Sequence, residues 1–382
     1  MSQINVRNLS NENDDGSPEI VGVSTFSATS FFVPPKGSTA ERPSDCEPGS
    51  IRFNTDTANL EYFRGKTLGW SQFELINPNL GGGTGSNTGV GVRGLFAGGF
   101  ISPTGTARTN IIDFITISTL GNAQDFGDRT HVSDTCAGAA SKTRGVIAGG
   151  YAGSETNVIE FVTISSLGDA LDFGDLPSNR RNRDGCGDTV RGLFGGGYPF
   201  SAQIDYITFE SLGNAIDFGD LTQTRYNSGA LSSSTRAVFA GGDESPSSPV
   251  SDVIDFVTIR TTGNATDFGD LIGTMGTGGF SGTSNSTRGL IGISNSNSIE
   301  FITIATTGNA QDFGDATYNL GSHAAAGSPT RAVFAGGGAS PAPLTNSMDF
   351  VEILTTGNGL DFGDLTDGRQ SLAGFSNGHG GL

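Results

Sequence analysis

Short apolar runs bounded by glycine, asparagine and aspartate recur along most of this chain. In one copy, an apolar run at Arg236–Ala240 ends in a Gly-Gly pair, a second spans residues 253–259, and a third spans 265–271. A run of small residues at 228–232 precedes them. Runs of this length, rich in β-branched and aromatic residues and separated by turn residues, are typical of β-strands. The pattern therefore predicts four strands in each copy.

The copy occurs six times, in steps of 43 to 52 residues. This period matches the blades of a β-propeller and is too long for a leucine-rich or ankyrin repeat. The strand order, with Gly-Gly ending the second strand, resembles the kelch-type propeller, with phenylalanine largely in place of the kelch Tyr and Trp. We therefore predict an all-β fold in which residues 92–382 form a six-bladed propeller of four-stranded, kelch-like blades. The repeated residues are Arg93, Arg144, Arg191, Arg236, Arg288 and Arg331 at the start of strand two, and Phe126, Phe173, Phe218, Phe268, Phe313 and Phe362 within Asp-Phe-Gly-Asp.

The two ends of the repeat region predict how the propeller closes. Arg93 follows a glycine-rich segment and has no good first strand before it, whereas residues 371–375, after the last Asp-Phe-Gly-Asp, fit the first-strand position. We expect this C-terminal strand to complete the first blade. Closure would also remove the exposed sheet edges of an open array.

The region before the repeats divides into three parts. Residues 1–30 are polar and predict an arm, residues 31–80 a small β-hairpin module, and residues 81–91 a Gly-rich flexible linker. In the module, Ile51 and Phe53 alternate with polar residues, as do Leu60 and Tyr62, and Trp70 is expected to close over the hairpin. So small a module buries little surface, which favours docking on another chain or self-association.

The module also carries a resemblance to a known class of protein. The strings Pro-Pro-Lys-Gly-Ser-Thr-Ala-Glu-Arg-Pro from Pro34 and Pro-Gly-Ser-Ile-Arg-Phe-Asn-Thr-Asp-Thr from Pro48, then Leu-Glu-Tyr-Phe-Arg-Gly from Leu60, precede Trp70. Together they resemble a module of tailed-phage fibres and other virion structural proteins. The resemblance implies a virion component. The alternative is a generic hairpin.

Composition and charge narrow the classes of function. The net charge is −18, largely from the repeated carboxylates, which argues against nucleic-acid binding and against anionic membranes. There is no run of about 18 apolar residues and no apolar signal core, so we expect a soluble protein without membrane insertion. Cys46, Cys136 and Cys186 are too few and too widely spaced for a disulfide framework or a zinc site.

The repeated motif suggests structural roles and few chemical ones. Asp-Phe-Gly occurs in protein kinases, but the other kinase motifs are missing and six copies are present. We expect each phenylalanine to pack between blades. For the repeated arginine, one hypothesis is an ion pair such as Arg236 with Asp267, and the alternative is a hydrogen bond to loop carbonyls. The side-chain oxygens of Asn264, Asp267 and Asp270 are suited to binding calcium. The alternative is that these residues only shape the turn and are solvated at its rim.

Catalytic candidates are scarce. His131, His323 and His379 occupy different phases of the repeat, so no convergent cluster is indicated, and we expect neither an enzyme nor a bound cofactor or metal. One charged cluster breaks the repeat, namely Arg180, Arg181 and Arg183. It is a candidate binding loop for an anionic sugar or a partner's carboxylate, and the alternative is an ordinary solvated loop.

These observations favour a phage virion structural protein such as a tail fibre, spike or other surface appendage. Residues 1–80 would bind other virion proteins and support homo-oligomers. The propeller's variable loops would contact host surface, for example glycan, or a neighbouring virion protein, because variable loops on a rigid scaffold commonly carry binding. One alternative is a capsid decoration protein. Another, of a different class, is a free lectin-like or hydrolytic propeller.

Overall fold

The computed structural model describes residues 34–57, 59–72, 92–101, 107–244, 250–273, 279–338 and 344–382. The chain divides into two compact units, Met1–Asn77 and Pro78–Leu382. Both are built of β-structure, and a 3₁₀ turn at Thr39–Glu41 is the only helical element in the described ranges. The strands form seven four-stranded sheets. The predicted arm, 1–30, and the predicted linker, 81–91, lie outside the described residues.

The first unit contains one sheet. Its strands are β1 (Lys36–Gly37), β2 (Ile51–Asn54), β3 (Asn59–Phe63) and β4 (Trp70–Gln72), in that order across the sheet. β1 is parallel to β2, and the other pairs are antiparallel. The sheet is thus larger than the predicted hairpin, because short strands flank β2 and β3 on both sides. Ile51 and Leu60 are exposed, whereas Arg52 and Glu61 are buried.

A buried ionic network occupies the inner side of this sheet. Glu61 accepts hydrogen bonds from Arg42 Nη2 at 2.7 Å and from Asn54 Nδ2 at 3.1 Å, and Arg52 Nε lies 3.3 Å from its carboxylate. The hydrogen bond from Arg42 lowers the pKa of Glu61. Phe63 packs against Trp70 beside this network, with 5.4 Å between ring centroids. The apolar residues that alternate along β2 and β3 are therefore exposed or half-buried, whereas the charged residues between them are buried.

The second unit contains six antiparallel sheets, numbered here in chain order. The first sheet has β5 (Arg93–Ala97), β6 (Ile111–Thr116) and β7 (Gln124–Asp128); the second β8 (Ala137–Ala140), β9 (Arg144–Ala148), β10 (Val158–Thr163) and β11 (Leu171–Asp175); the third β12 (Asp184–Gly187), β13 (Arg191–Gly195), β14 (Gln203–Thr208) and β15 (Ile216–Asp220). The fourth has β16 (Gly229–Ser232), β17 (Arg236–Ala240), β18 (Val253–Thr258) and β19 (Thr266–Asp270); the fifth β20 (Ser281–Ser284), β21 (Arg288–Gly292), β22 (Ser298–Thr303) and β23 (Gln311–Asp315); the sixth β24 (Ala324–Gly327), β25 (Arg331–Ala335), β26 (Ser347–Glu352) and β27 (Leu360–Asp364).

The C-terminal strand, β28 (Ala373–Ser376), lies in the first sheet, where it is antiparallel to β5. The first strands of the sheets contact one another in the order β8, β12, β16, β20, β24, β28 and again β8. They approach closely because their residues are small. A Cβ atom on Gly138, for example, would lie 2.8 Å from Gly374 O of the neighbouring strand. Glycine is therefore required at position 138 by contact with the neighbouring backbone.

Each Asp-Phe-Gly-Asp motif forms a β-bulge that directs its phenylalanine between two sheets. In the first sheet, Ile112 pairs with Gly127 and Asp113 with Asp125, which leaves Phe126 without a partner across the ladder. The Phe126 ring is 2% exposed and belongs to a hydrophobic cluster shared with the second sheet. At Gly127, φ is 145° and a Cβ would lie 2.5 Å from the next sheet's turn, so glycine is needed there.

The repeated arginine links neighbouring sheets and does not form the hypothesised ion pair with the fourth strand. Arg236 is opposite Thr258, at the level of the turn that follows β18, whereas Asp267 is three positions away, opposite Asp255. Its guanidinium lies 4.6 Å from the Phe256 ring centroid, and Nη1 donates to Ile304 O of the next sheet at 2.9 Å. The alternative, a hydrogen bond to a loop carbonyl, is therefore what the structure has. Arg331 of the sixth sheet likewise reaches Ser118 O of the first sheet, at 3.3 Å.

The asparagine considered as a calcium ligand also joins two sheets. Asn264 Oδ1 accepts a hydrogen bond from Asp220 N of the preceding sheet at 3.1 Å. Asp267 is exposed on the outer strand. Within the described ranges, no group of three or more His, Cys, Asp or Glu residues is arranged to hold a metal ion. The asparagine is thus a clamp between the third-to-fourth strand turn and the neighbouring outer strand.

Candidate functional site

Two kinds of connection meet at one end of the second unit, which we call the loop face. They are the connections after each second strand and the segments that enter each sheet from the one before. Backbone pairing joins them: Tyr151 pairs with Asp134, and Tyr198 with Arg181. In the latter pair, Tyr198 N donates to Arg181 O at 2.8 Å. This pairing places residues far apart in sequence side by side on the loop face.

Buried arginine–carboxylate pairs fix the entering segments in four of the six sheets. In the segment entering the fourth sheet, Arg225 Nη2 donates to Asp255 Oδ2 at 2.8 Å. The same guanidinium donates to Val253 O at 2.7 Å and to Phe239 O at 3.1 Å. Thr222 completes the carboxylate's shell through its N and Oγ1. The four pairs are Arg129–Glu160, Arg183–Asp205, Arg225–Asp255 and Arg369–Asp113.

In the sixth sheet, the equivalent carboxylate has no arginine partner among the described residues. Asp349 accepts hydrogen bonds from Thr317 N and Oγ1, and burial raises the pKa of Asp349. Leu320 stands where the fourth sheet has its arginine. Tyr318 Oη lies 3.1 Å from Phe334 O and 3.0 Å from Ser347 O, the carbonyls equivalent to those that Arg225 contacts. A half-buried tyrosine thus takes the arginine's place, with one hydroxyl proton that either carbonyl can accept.

A row of arginine and aromatic side chains on the loop face breaks the six-fold repeat. We call it the arginine–tyrosine cluster; its members are Arg108, Tyr151, Arg181, Tyr198, Phe200 and Tyr226. The Arg181 guanidinium lies 4.6 Å from the Tyr151 ring centroid and 4.8 Å from that of Tyr198. Arg108 lies 4.5 Å from the Tyr151 centroid. Cation–π contacts of this kind therefore continue across neighbouring sheets.

Three rings continue the row beyond Arg181. Tyr198, Phe200 and Tyr226 contact one another edge to face, with centroids 5.2 to 6.0 Å apart. All three are half-buried, so each ring keeps an accessible part. Edge-to-face packing fixes the orientation of the rings. The cluster is thus a rigid surface with aromatic faces and polar tips.

Several polar groups of the cluster have no partner in the described part of the protein. The hydroxyls of Tyr151, Tyr198 and Tyr226 form no hydrogen bond to a described residue, and neither do Nη1 and Nη2 of Arg181. The hydroxyl of Tyr318, which is also half-buried, by contrast has two carbonyls within reach. The open donors and acceptors of the cluster are therefore available to a bound molecule.

Acidic residues surround the cluster. Arg108 Nε lies 3.3 Å from Asp134, and Arg181 Nε lies 3.5 Å from Glu155. Burial raises the pKa of Asp134, and Arg108 opposes that shift. Burial also raises the pKa of the Tyr226 hydroxyl, with a further contribution from Asp243. The Tyr226 hydroxyl is therefore a neutral donor and acceptor at neutral pH.

The predicted binding loop is divided among three environments. Arg183 is buried in its pair with Asp205. Arg180 Nη2 donates to Gln203 Oε1 at 2.9 Å and Nε to Ser178 Oγ at 2.8 Å, so this side chain supports its own sheet. Arg181 alone of the three belongs to the arginine–tyrosine cluster.

The sequence held one signal for the aromatic members that was missed. The residue after the Gly-Gly pair is Phe100, Tyr151 and Tyr198 in the first three copies, then Asp243 in the fourth and Gly338 in the sixth. An aromatic residue at this position points to the loop face only once the pairing with the entering segment is known. The histidines do not converge: His131 lies near Glu160, His323 bonds Leu320 O, and His379 bonds Ala140 O.

Comparison with known protein families and curated sequences found no match for this chain. Among the described residues, no helix has the length and apolar character needed to span a bilayer.

Proposed function

We propose that this chain is a structural protein of a phage-type virion, and that its second unit is a six-bladed β-propeller closed by the C-terminal strand. Three features support the closed propeller: β28 completes the first sheet, the first strands contact one another in cyclic order, and Arg331 links the last sheet to the first. Each sheet contributes the same four strands, which is how propeller blades are built.

The first unit would attach the protein to the particle. Its sequence strings carry the resemblance to fibre-type modules. Ile51 and Leu60 of its sheet are exposed, as is Leu68 in the turn between β3 and β4. Exposed apolar side chains on so small a module are stabilised when a partner covers them. We assign this surface to contact with other virion proteins or with further copies of the chain.

The propeller would bind the host surface through its loop face. The observation that carries this assignment is the arginine–tyrosine cluster, because a stack of side chains that breaks a six-fold repeat serves no requirement of the repeat itself. Its aromatic rings are only half-buried, and the hydroxyls of Tyr198 and Tyr226 and the two Nη atoms of Arg181 have no hydrogen-bond partner among the described residues. Binding sites commonly combine aromatic surface with a few placed polar groups.

Binding of the fluorescently labelled chain to cells of the host bacterium tests this assignment. The wild-type chain should bind saturably and compete with particle adsorption. The Tyr198→Ala variant should lose about tenfold or more in affinity, because it removes the central ring of the cluster. Lys142→Ala, an exposed change at the first-to-second strand turn, should bind like the wild type. Equal binding by wild type and Tyr198→Ala would refute a role for the cluster, and absence of any cell binding would favour capsid decoration.

A further inference from the structure

We infer that the arginine–tyrosine cluster binds an acidic saccharide chain, with the guanidinium of Arg181 gripping the carboxylate of a uronic-acid-type sugar. The inference rests on the proposed function and names the ligand class of that same site. It combines three properties of the cluster: partly accessible aromatic rings, a guanidinium with free donors, and the distribution of charge on the loop face.

The aromatic rings supply the saccharide surface. The C–H groups of a sugar ring carry partial positive charge and pack well on the negative face of an aromatic ring. Tyr198, Phe200 and Tyr226 present three adjacent rings whose mutual contacts fix their orientation. The free tyrosine hydroxyls at their edges suit the hydroxyl groups of a sugar. A run of rings spread over neighbouring sheets fits an extended chain better than a single small molecule.

Arg181 supplies the recognition of charge. Its guanidinium is held between the rings of Tyr151 and Tyr198, and its Nε faces Glu155. Nη1 and Nη2 remain without a described acceptor, so the fork that matches a carboxylate is open. Because the guanidinium already contacts two rings, little side-chain freedom is lost on binding. The geometry therefore favours a planar, two-oxygen anion.

The charge distribution favours a singly charged group. In the second unit, the cations on the loop face that are not buried are Arg108, Arg180 and Arg181, within the part of the chain that the structure describes. The repeated arginines and Lys142 lie at the opposite end, at the first-to-second strand turns. Asp134 and Glu155 beside the cluster offset part of this positive charge. A carboxylate suits such a balance better than a doubly charged phosphate monoester.

A protein partner is the less favoured ligand for this surface. Stable protein interfaces use about 20 to 30 residues on each side and a core rich in apolar contact. The exposed aliphatic residues Leu120, Leu167 and Leu212 lie in the third-to-fourth strand turns, at the end opposite the loop face. Ile101, Val132 and Ile272 are exposed at the loop-face end, but they are not members of the cluster. The cluster itself contains only aromatic and charged side chains. Its composition is that of a saccharide site.

Surface polysaccharides extracted from the host bacterium provide the test. Each preparation is immobilised in its native form and after chemical reduction of its carboxylates to alcohols, and binding of the full chain is measured by surface plasmon resonance. We expect the wild type to bind a native uronate-bearing polysaccharide, with about tenfold or greater loss after carboxyl reduction. Arg181→Ala should show a similar loss on the native polysaccharide and no further loss on the reduced one. Lys142→Ala removes one cation from the opposite end and should leave both values unchanged.

The outcomes separate this inference from the proposed function. Binding that survives carboxyl reduction, as expected of a phosphodiester polymer or a neutral glycan, overturns the carboxylate assignment. Failure to bind any extracted polysaccharide, together with cell binding that protease treatment abolishes, overturns the saccharide and leaves the host-binding role in place. Equal binding by wild type and Arg181→Ala, with circular dichroism confirming that both are folded, removes Arg181 from the site.

Discussion

The buried arginine of the fourth sheet allows a stringent prediction about what holds the loop face. Replacing Arg225 by leucine deletes hydrogen bonds to Asp255, Val253 and Phe239. Removing one partner of a buried ion pair costs about 3–5 kcal/mol, since the other charge stays buried. Thr222 still donates twice to Asp255, and Val253 O still accepts from the backbone. We therefore expect Arg225→Leu to lose about 3 kcal/mol of unfolding free energy, at the lower end of that range.

The sixth sheet supplies the matched rescue. There alanine, tyrosine and leucine, at Ala316, Tyr318 and Leu320, occupy the positions of Leu221, Gln223 and Arg225. The triple variant L221A/Q223Y/R225L transplants that arrangement and should recover to within about 1 kcal/mol of the wild type, because the tyrosine hydroxyl occupies the guanidinium's place and donates to one of the same two carbonyls.

Urea titration followed by circular dichroism measures these differences in unfolding free energy. The control Lys142→Leu, at an exposed turn, should change the free energy by less than about 0.5 kcal/mol. A loss below about 1 kcal/mol for Arg225→Leu would refute the importance of the buried pair. A triple variant no more stable than Arg225→Leu would show that the sixth sheet does not use an equivalent solution.

Three further predictions concern the core, the closure and the pH response. Phe268→Ala should cost about 3–5 kcal/mol in urea titration, because the ring is 2% exposed between sheets; a loss near zero would place it outside the core. Deleting residues 373–382 should lower the melting temperature of the whole second unit in calorimetry, and unchanged melting would contradict C-terminal closure. Burial raises the pKa of Asp184 to about 8, so the folded protein keeps this carboxyl protonated where the unfolded chain has ionised it, and stability falls as pH rises from about 4 to 8. Asp184→Asn should therefore gain stability relative to the wild type by up to about 5 kcal/mol between pH 4 and pH 8, whereas a gain independent of pH would contradict the titration.

Much of the strand architecture could be predicted from local patterns. The runs around Arg236 and Phe268, and the first-strand pattern of residues 371–375, are visible in sequence because burial and turn chemistry act on neighbouring residues. The register between neighbouring strands could not be predicted as well from the sequence. Of the two hypotheses for Arg236, the ion pair with Asp267 is wrong, because the ladders set these residues three positions apart.

The candidate site was predicted only in part, because it depends on contacts between distant segments. The sequence singled out Arg180, Arg181 and Arg183 as one loop, but Asn182 has a φ of 54°, which turns the backbone between Arg181 and Arg183. Arg183 is therefore buried while Arg181 stacks on tyrosines. Tyr151 and Tyr226 join the cluster only through the arrangement of neighbouring sheets. In the first unit, the alternation predicted strands but could not tell that Glu61 and two arginines would form the interior.

The central claim is that the protein is a virion appendage whose loop face points outward. Electron cryomicroscopy of the particle that carries this chain tests it most directly. The account predicts density for a six-bladed propeller projecting from a tail or vertex, tethered through residues 1–80, with Tyr198 and Arg181 facing solvent. Propellers tiled flat on the capsid lattice, or an arginine–tyrosine cluster buried against another virion protein, would contradict it.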